Sequence, residues 1–330
     1  MKITLAAARQ RAISAVLCAA SLLVACGGGG EPIQRFVARR LIVLGDETSV
    51  LNGDGSKYSV NALAADNVSL NCKANPLWVQ ILASYYGLTF FGCPSGSAPV
   101  TVLMLAKVGT TVSDIPAQID AVGGFVEKDL VTLLAGTNDI LAQYALIKSG
   151  AQNEGGCTSP PKPECTGAAA VLQAAGTALG SQVTRIANSG GRILISTVPD
   201  VGLTPFAISE EAATPGAAAM LSRLSKVFNA YLRNGFIDDG RRIGLLLTDE
   251  LFANVMKSPA GAGLVDVKHA WCDPAFPPPA CTTNTPVPPP SAAASAPAST
   301  YLWAGDLLFG SSGHSLLGNQ AVSRANSNPF

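Results

Sequence analysis

Residues 41–49 read LIVLGDETS, and the fold class follows from this stretch. Four consecutive apolar residues lead into Gly45 and Asp46, which is typical of a buried strand that ends in a turn. Four later apolar runs have the same character, at residues 100–108, 129–135, 191–197 and 242–247. Strands without polar alternation are typical of a parallel sheet that is covered on both faces.

Helical patterns separate these strands along the chain. Residues 168–188 are rich in alanine and long enough for a helix, and residues 215–234 place Leu221, Leu224, Phe228 and Leu232 at helical spacing. The alternation of strand and helix predicts an α/β fold with helices on both faces of the sheet. Residues 51–58, LNGDGSKY, contain two glycines in a polar run and predict a small hairpin.

The composition excludes two classes of protein. Charged residues make up 13% of the 330 residues and apolar residues 48%, whereas a disordered chain is polar and highly charged. The 22 basic residues are balanced by 22 acidic ones and form no basic block, so we expect no nucleic-acid partner.

The first 26 residues have the features of an export signal. Lys2, Arg9 and Arg11 precede an apolar stretch at residues 12–25, which is shorter than a membrane-spanning helix. The stretch runs into LVAC at residues 23–26, which resembles the lipobox of bacterial lipoproteins. The resemblance implies cleavage before Cys26 and a lipid on its sulfur. An ordinary signal peptide with a chance cysteine is the alternative.

A lipidated Cys26 predicts a protein anchored in the bacterial cell envelope. By the same resemblance, a residue other than Asp at position 27 favours the outer membrane, facing either the periplasm or the cell surface. Residues 27–37, which begin with four glycines, are predicted to form a flexible tether to one domain at residues 38–330. The membrane is then a partner through the lipid, and the sequence leaves the oligomeric state open.

The six cysteines after Cys26 form three close pairs along the chain. An even number in an exported protein favours disulfides, and neighbour pairing is the simplest arrangement. It joins Cys72 to Cys93, Cys157 to Cys165 and Cys272 to Cys281. A zinc site is the alternative, although no CxxC pair is present.

Two stretches interrupt the α/β pattern. Residues 152–165 are predicted to form a loop rich in Gly and Pro. Residues 274–299 are rich in Pro, Ala and Ser and are predicted to form an exposed, poorly ordered excursion from the domain.

Three polar segments are predicted at or near the carboxyl ends of strands, where α/β sheets form their sites. They are GDETS at residues 45–49, GTND at residues 136–139 and WAGDLLFGSSGHSLLG at residues 303–318. Their type and their order resemble the SGNH/GDSL hydrolase family over about residues 38–330. The resemblance implies a three-layer α/β/α sandwich with a five-stranded parallel sheet, which is flavodoxin-like, together with an ester-hydrolysing ancestry and no cofactor.

Two positions match the oxyanion hole of that family. The resemblance implies that the backbone N–H of Gly109 and the side-chain amide of Asn138 point at the oxygen that becomes negative during ester hydrolysis. The alternative interpretation is that Asn138 only caps the helix that follows it.

The catalytic triad of the family does not match. Glu47 stands where the family has its nucleophilic Ser, and a carboxylate is a poorer nucleophile toward an ester. Alignment on His314 puts Gly305 and Leu308 at the Asp and His positions, whereas alignment on Asp306 puts Phe309 at the His position. A Ser hydroxyl needs a base within hydrogen-bond reach, so the sequence predicts a degenerate triad.

Other groups offer alternative chemistry. Ser49 and His314 are a possible nucleophile and base if the loop before His314 is rebuilt, while His269 is expected to be a surface or packing residue. Asp46, Glu47 and Asp139 are a candidate carboxylate site for Mg²⁺ or Ca²⁺. The family resemblance instead implies a site without a metal ion, and this is the preferred interpretation.

The sequence therefore predicts an impaired ester-hydrolase-like lipoprotein. On this hypothesis it is a pseudoenzyme that binds an acyl, lipid or glycan ligand or scaffolds an envelope complex. The alternative is an active esterase that acts on acyl esters through Ser49 and His314.

Overall fold

The computed structural model of the protein describes residues 36–158, 164–238, 240–285 and 296–327, together with Phe330. These residues belong to the unit Phe36–Phe330. The predicted signal peptide, Cys26 and residues 27–35 of the tether lie outside the described residues, as do residues 286–295 of the predicted excursion.

Each of the five apolar runs forms a strand of one parallel sheet. The strands are β1 (Arg40–Gly45), β2 (Val102–Met104), β3 (Asp129–Leu134), β4 (Arg192–Ser196) and β5 (Ile243–Leu246). Their order across the sheet is β2-β1-β3-β4-β5, and every neighbouring pair is parallel. Because this is the flavodoxin-like strand order, the predicted fold class is confirmed.

Helices cover both faces of this sheet. They are α1 (Trp78–Tyr85), α2 (Ile115–Asp120), α3 (Thr137–Lys148), α4 (Gly167–Asn188), α5 (Pro205–Ala213), α6 (Ala217–Asn234), α7 (Thr248–Lys257) and α8 (Ser311–Ala325). The helices predicted at residues 168–188 and 215–234 are α4 and α6. The second begins at Ala217, after Gly216 with its left-handed φ of +94°.

The side chains of β1 alternate between two apolar cores. Leu41 and Val43 pack into one core with α1, α7 and α8, whereas Ile42 and Leu44 pack into the other with α2, α3, α4 and α6. All four side chains are fully buried. Burial on both faces is the reason that the strand shows no polar alternation in the sequence.

A second, two-stranded parallel sheet is not predicted by the sequence pattern. Its strands are β6 (Asp266–Ala270) and β7 (Tyr301–Trp303), which flank the Pro/Ala/Ser-rich segment. β6 reads DVKHA and lacks an apolar run, because two of its five side chains are exposed and only Val267 is buried. Its pairing depends on a partner strand beyond the excursion, which no local pattern specifies.

The predicted excursion is anchored at its first part. Cys281 is fully buried, and the Asn61 side chain donates hydrogen bonds to Pro279 O at 2.8 Å and Cys281 O at 3.4 Å. Residues 274–285 are therefore held against the domain rather than extended freely from it. The reason is the disulfide and the polar contacts, which outweigh the loop-like composition.

The neighbour pairing of cysteines is confirmed. Disulfides join Cys72 to Cys93, Cys157 to Cys165 and Cys272 to Cys281.

The hairpin predicted at residues 51–58 is shorter than a regular hairpin. It consists of one antiparallel bridge between Leu51 and Lys57. Of the residues that the structure describes, none belongs to a helix long and apolar enough to cross a membrane.

Candidate functional site

The candidate site lies at the carboxyl edge of the sheet, where β1, β2 and β3 end side by side. Gly45 ends β1 with a φ of +118°, and a Cβ at this position would lie 2.0 Å from the carbonyl oxygen of Leu134 on β3. Only glycine fits both that backbone conformation and that close approach. The turn after β1 is thereby brought directly against the end of β3.

Gln118 on α2 clamps this turn. Its Oε1 accepts a hydrogen bond from Gly45 N at 2.8 Å, and its Nε2 donates to Gly45 O and to the Thr110 hydroxyl, both at 3.1 Å. One buried amide thus connects the turn after β1 to the loop after β2. Sequence reasoning missed Gln118, since its role depends on how α2 packs and no motif marks it.

Asp46 begins a short 3₁₀ helix, Glu47–Ser49, and its Oδ1 accepts from Thr48 N at 3.0 Å. The side chain is fully buried, and its Oδ2 has no hydrogen-bond partner among the described residues. Burial raises the pKa of Asp46 to about 8, and the charge of the adjacent Glu47 adds to the shift. Asp46 therefore holds the turn and does not face a substrate.

The Glu47 carboxylate occupies the predicted oxyanion hole. Its Oε2 accepts from the backbone N of Gly109 at 2.9 Å and from Asn138 Nδ2 at 3.2 Å. The other oxygen, Oε1, lies 3.4 Å from Asn138 Nδ2. The structure thus brings Glu47, Gly109 and Asn138 together, and the ligand of the two donors is a side chain of the protein itself.

Asn138 is oriented for this contact and does not cap α3. The N-cap position is Gly136, with a φ of +126°, and no side chain caps the helix. The Asn138 amide also donates to Thr110 O at 3.1 Å, which fixes its direction. The alternative in which Asn138 serves only as a cap is therefore not what the geometry shows.

Asp46, Glu47 and Asp139, the candidate cation ligands, each accept hydrogen bonds from different N–H groups of the protein. Asp139 accepts from Val112 N at 3.0 Å, Asp46 from Thr48 N, and Glu47 from Gly109 and Asn138. Burial raises the pKa of Asp139 to about 6. In the described ranges no group of three or more His, Cys, Asp or Glu side chains is arranged to hold a metal ion.

The segment aligned with the Asp and His of the family forms a tight turn after β7. The N–H groups of Ala304 and Gly305 both donate to Leu308 O, at 2.8 and 3.2 Å. A Cβ built on Gly305 would lie 3.5 Å from Pro278 Cδ and 3.7 Å from the Cβ of Leu308, which is ordinary van der Waals contact, so positions 305 and 308 are adjacent. Leu308 is partly exposed.

Phe309 belongs to the core instead. It is 1% exposed and packs edge-on against Phe252, with ring centroids 4.6 Å apart. A histidine at position 309 would therefore be buried in this core.

Ser49 and His314 are both fully buried and share no hydrogen bond. The Ser49 hydroxyl accepts from Trp78 Nε1 at 3.2 Å, and His314 Nδ1 accepts from Trp78 N at 3.4 Å. Burial lowers the pKa of His314 to about 3, with a further contribution from the charge of Lys57. The structure does not assemble these two residues into a nucleophile and base at the surface.

The second histidine is remote from this chemistry. His269 lies on β6, is exposed, and its Nδ1 is 2.8 Å from Asp266 Oδ2.

The sequence analysis assigned no role to two buried residues, Trp78 and Lys57. Lys57 is buried and its Nζ donates to Cys72 O, Ala74 O and Asn75 O at 2.7–3.0 Å, so it supports a loop rather than a site.

A cavity of about 340 Å³ lies beside the loop that carries Gly109. It is lined in part by Lys107, Gly109, Thr110 and Gln118. A volume of this size is within the range of small-ligand sites. The Gly109 loop thus borders both the Glu47 contact and a space for a small group.

Comparison with known proteins gives a distant fold likeness. No protein-family model and no curated protein matches the chain. Among solved structures, the acetylxylan esterase Axe2 from Geobacillus stearothermophilus is 13% identical with a TM-score of 0.45, and the match covers 90% of this chain and 99% of that one. LAE5, an alpha/beta hydrolase enzyme from the metagenome of Lake Arreo, Spain, is 15% identical with a TM-score of 0.46, over 88% of this chain and 96% of that one. Similarity at these scores does not assign an activity to this chain.

Proposed function

We propose that this chain is an ester-hydrolase-like protein whose esterase chemistry is impaired and which serves as a binding or scaffold protein of the bacterial envelope. The observation that carries the proposal is the contact of the Glu47 carboxylate with Gly109 N and Asn138 Nδ2. These are the donors that an ester-hydrolysing site of this type directs at the developing oxyanion.

The Glu47 carboxylate opposes ester hydrolysis in two ways. It fills the donors that a substrate oxygen would use, and its negative charge repels the oxyanion of a tetrahedral intermediate. Two like charges about 4 Å apart near a protein surface repel by about 4 kcal/mol. A penalty of that size would cancel the stabilisation that one oxyanion donor supplies, which is about 3–4 kcal/mol.

The site also lacks a base. In the part of the chain that the structure describes, neither of the two imidazoles hydrogen-bonds to Glu47 or to a Ser hydroxyl: His269 Nδ1 lies 2.8 Å from Asp266 Oδ2, and His314 Nδ1 accepts from Trp78 N. The lowered pKa of His314 makes its ring a weak proton acceptor. Its burial separates it from any substrate that enters from solvent.

The envelope location and the ligand are further parts of the proposal. The lipobox at residues 23–26 supports a lipid anchor on Cys26, most simply in the outer membrane. The cavity beside Gly109 supports a small acyl, lipid-derived or glycan group as the ligand. The competing function is an active esterase that uses Ser49 and His314.

Activity measurements separate these two functions. The impaired site should turn over short-chain p-nitrophenyl esters only slowly, and a fluorophosphonate should not label the protein, because that reagent needs an activated Ser. Wild type, Ser49→Ala and His314→Ala should then give the same low rate. Robust wild-type turnover that disappears in Ser49→Ala or His314→Ala would establish the competing function.

Restoration of the family residues tests the role of Glu47 directly. The triple variant Glu47→Ser, Gly305→Asp and Leu308→His frees the two donors and places Ser, Asp and His at the positions that match the family triad. We expect its esterase rate to exceed that of wild type by about 10²-fold or more. Glu127→Ser, which removes an exposed carboxylate elsewhere, is the control and should leave the rate unchanged. No gain in a folded triple variant would argue against an esterase-like scaffold.

The lipid anchor has its own test. Cys26→Ser should leave an unprocessed precursor that takes up no labelled palmitate, because the thiol is the acyl acceptor. Cys18→Ser, a change within the apolar signal stretch, is the matched control and should be lipidated normally. Normal palmitate incorporation into Cys26→Ser would contradict the anchor.

A further inference from the structure

We propose that Glu47 is itself a nucleophile, and that the site transfers an alkyl group from a small electrophile, an epoxide or a primary alkyl halide, to the Glu47 carboxylate. This inference does not rest on the proposed binding function. It concerns a different reaction at the same side chain and starts from the position of the two carboxylate oxygens.

The two oxygens of Glu47 have different surroundings. Oε2 accepts from Gly109 N at 2.9 Å and Asn138 Nδ2 at 3.2 Å, whereas the one hydrogen bond to Oε1 from the residues that the structure describes is the 3.4 Å contact with Asn138 Nδ2. The Glu47 residue is partly exposed and Gly109 is exposed, so solvent reaches this edge. Oε1 therefore keeps lone pairs available for attack while Oε2 is held in place.

The first step is a displacement at an sp³ carbon. The Oε1 lone pair forms a C–O bond to the terminal CH₂ of an epoxide, and the ring C–O bond breaks with its electron pair on the ring oxygen. That alkoxide takes a proton from water. With an alkyl halide the electron pair leaves as halide. The product is an ester of Glu47, formed without an oxidant or a metal.

The second step uses the two donors that Glu47 withholds from an external ester. In the Glu47 ester, Oε2 is the carbonyl oxygen and already lies between Gly109 N and Asn138 Nδ2. Water adds to Cδ, its proton passes to solvent, and the negative charge develops on Oε2, where two donors stabilise it. Collapse of this intermediate releases the alcohol and regenerates the carboxylate.

This arrangement explains why a carboxylate can be placed in an oxyanion hole. For an external ester the two donors must bind the substrate oxygen, which Glu47 excludes. For an ester of Glu47 the oxygen to be stabilised belongs to Glu47 itself. Because neither imidazole contacts this group, water is not activated by a base, and we expect the ester to form faster than it is hydrolysed.

Labelling with 1,2-epoxy-3-(4-nitrophenoxy)propane tests the first step. The full chain is treated with the epoxide and the modified peptides are mapped by mass spectrometry. We expect Glu47 to be alkylated at least about tenfold faster than the exposed Glu127, which serves as the internal reference, because an oriented nucleophile reacts faster than a free one. Glu47→Gln should lose the label at this peptide and keep that at Glu127. Equal rates at Glu47 and Glu127 in wild type would overturn the proposal.

Isotope transfer tests the second step. Hydrolysis of the labelled protein in water enriched in ¹⁸O should place one ¹⁸O atom in Glu47, while the released diol keeps the original Glu47 oxygen. Asn138→Ala should lengthen the lifetime of the ester by about 10²-fold, since it removes one donor to Oε2. Appearance of ¹⁸O in the diol instead of in Glu47, or an ester lifetime unchanged in Asn138→Ala, would overturn the proposal. Esterase activity is not measured here, so this result is independent of the test of the proposed function.

Discussion

Asp46 and Glu47 are adjacent carboxyl residues with opposite roles. Asp46 is fully buried, caps the 3₁₀ turn through Thr48 N and has a pKa raised to about 8. Glu47 is partly exposed and reaches Gly109 and Asn138 on two other elements. The difference arises from the direction of each side chain at the end of β1, since both residues have the same chemical group.

The raised pKa of Asp46 makes stability depend on pH. An ordinary Asp ionises near pH 4 in the unfolded chain, whereas the folded protein keeps Asp46 protonated up to about pH 8. Because the folded state then binds more protons, stability contributed by this group falls as pH rises from about 4 to about 8.

Asp46→Asn should remove this dependence. The variant keeps an acceptor for Thr48 N but does not titrate, so its stability relative to wild type should increase from pH 5 to pH 8, by at most about 1.4 kcal/mol per pH unit. Urea denaturation at several pH values measures this. Asp66→Asn is the control: its exposed side chain has a pKa lowered to about 2, mainly by the Ser69 hydroxyl, so the offset of that variant should stay constant over the same range. A constant offset in Asp46→Asn would contradict the raised pKa of the buried Asp46 carboxyl.

The turn between β1 and the 3₁₀ helix is the element that builds the site. Gly45 brings the turn against Leu134 O, and Gln118 bonds both backbone groups of Gly45 and the Thr110 hydroxyl. The ends of β1, β2 and β3 are thereby held in one arrangement. The positions of Gly109 and Asn138 relative to Glu47 follow from that arrangement.

Gly45→Ala should disrupt this element. Its Cβ would lie 2.0 Å from Leu134 O, so the β1–β3 ladder must shift, and we expect a loss of more than about 4 kcal/mol. Gly124→Ala is the matched control, because Gly124 has a φ of +123° and open space around it, and backbone strain alone costs about 1–3 kcal/mol. Denaturant unfolding of both variants gives the comparison. Equal losses would show that the close approach to β3 is unimportant.

At the scale of the whole molecule, the disulfides secure loops outside the central sheet. Cys72–Cys93 closes the loop whose carbonyl groups bind Lys57, and Cys72 O also accepts from Gln80 Nε2 at 3.0 Å. Cys157–Cys165 staples the Gly/Pro loop before α4. These segments lack strand partners in the main sheet, so covalent links replace part of the missing hydrogen-bond ladder.

Loss of a disulfide should cost stability that grows slowly, as a logarithm, with the length of chain that it closes. The pairs are 21 and 8 residues apart for Cys72–Cys93 and Cys157–Cys165. Restriction of the unfolded chain then predicts losses of about 3 and about 2.5 kcal/mol for the two double Ser variants. Urea denaturation measures both, and peptide mapping without reductant should show only neighbour pairs. A crosslink from Cys72 to Cys272 would contradict the pairing.

The fold class and the neighbour disulfides could be predicted from the sequence because they depend on local signals. Apolar runs such as residues 41–44 identify buried strands, and alternation with helices fixes a parallel sheet. Glu47, Gly109 and Asn138 could be expected at one edge, since the carboxyl ends of parallel strands meet there. β6 was not predictable, because its partner β7 lies beyond the excursion and its own pattern is half polar.

Only the tertiary structure decided what the site contains. The sequence by itself determined that position 47 carries a carboxylate, but the contact of Glu47 with Asn138 spans 91 residues. The burial of Ser49 and of His314 likewise depends on Trp78, which lies 29 and 236 residues away from them. A side chain's direction and burial are set by contacts between distant elements, and local composition and periodicity carry no information about them.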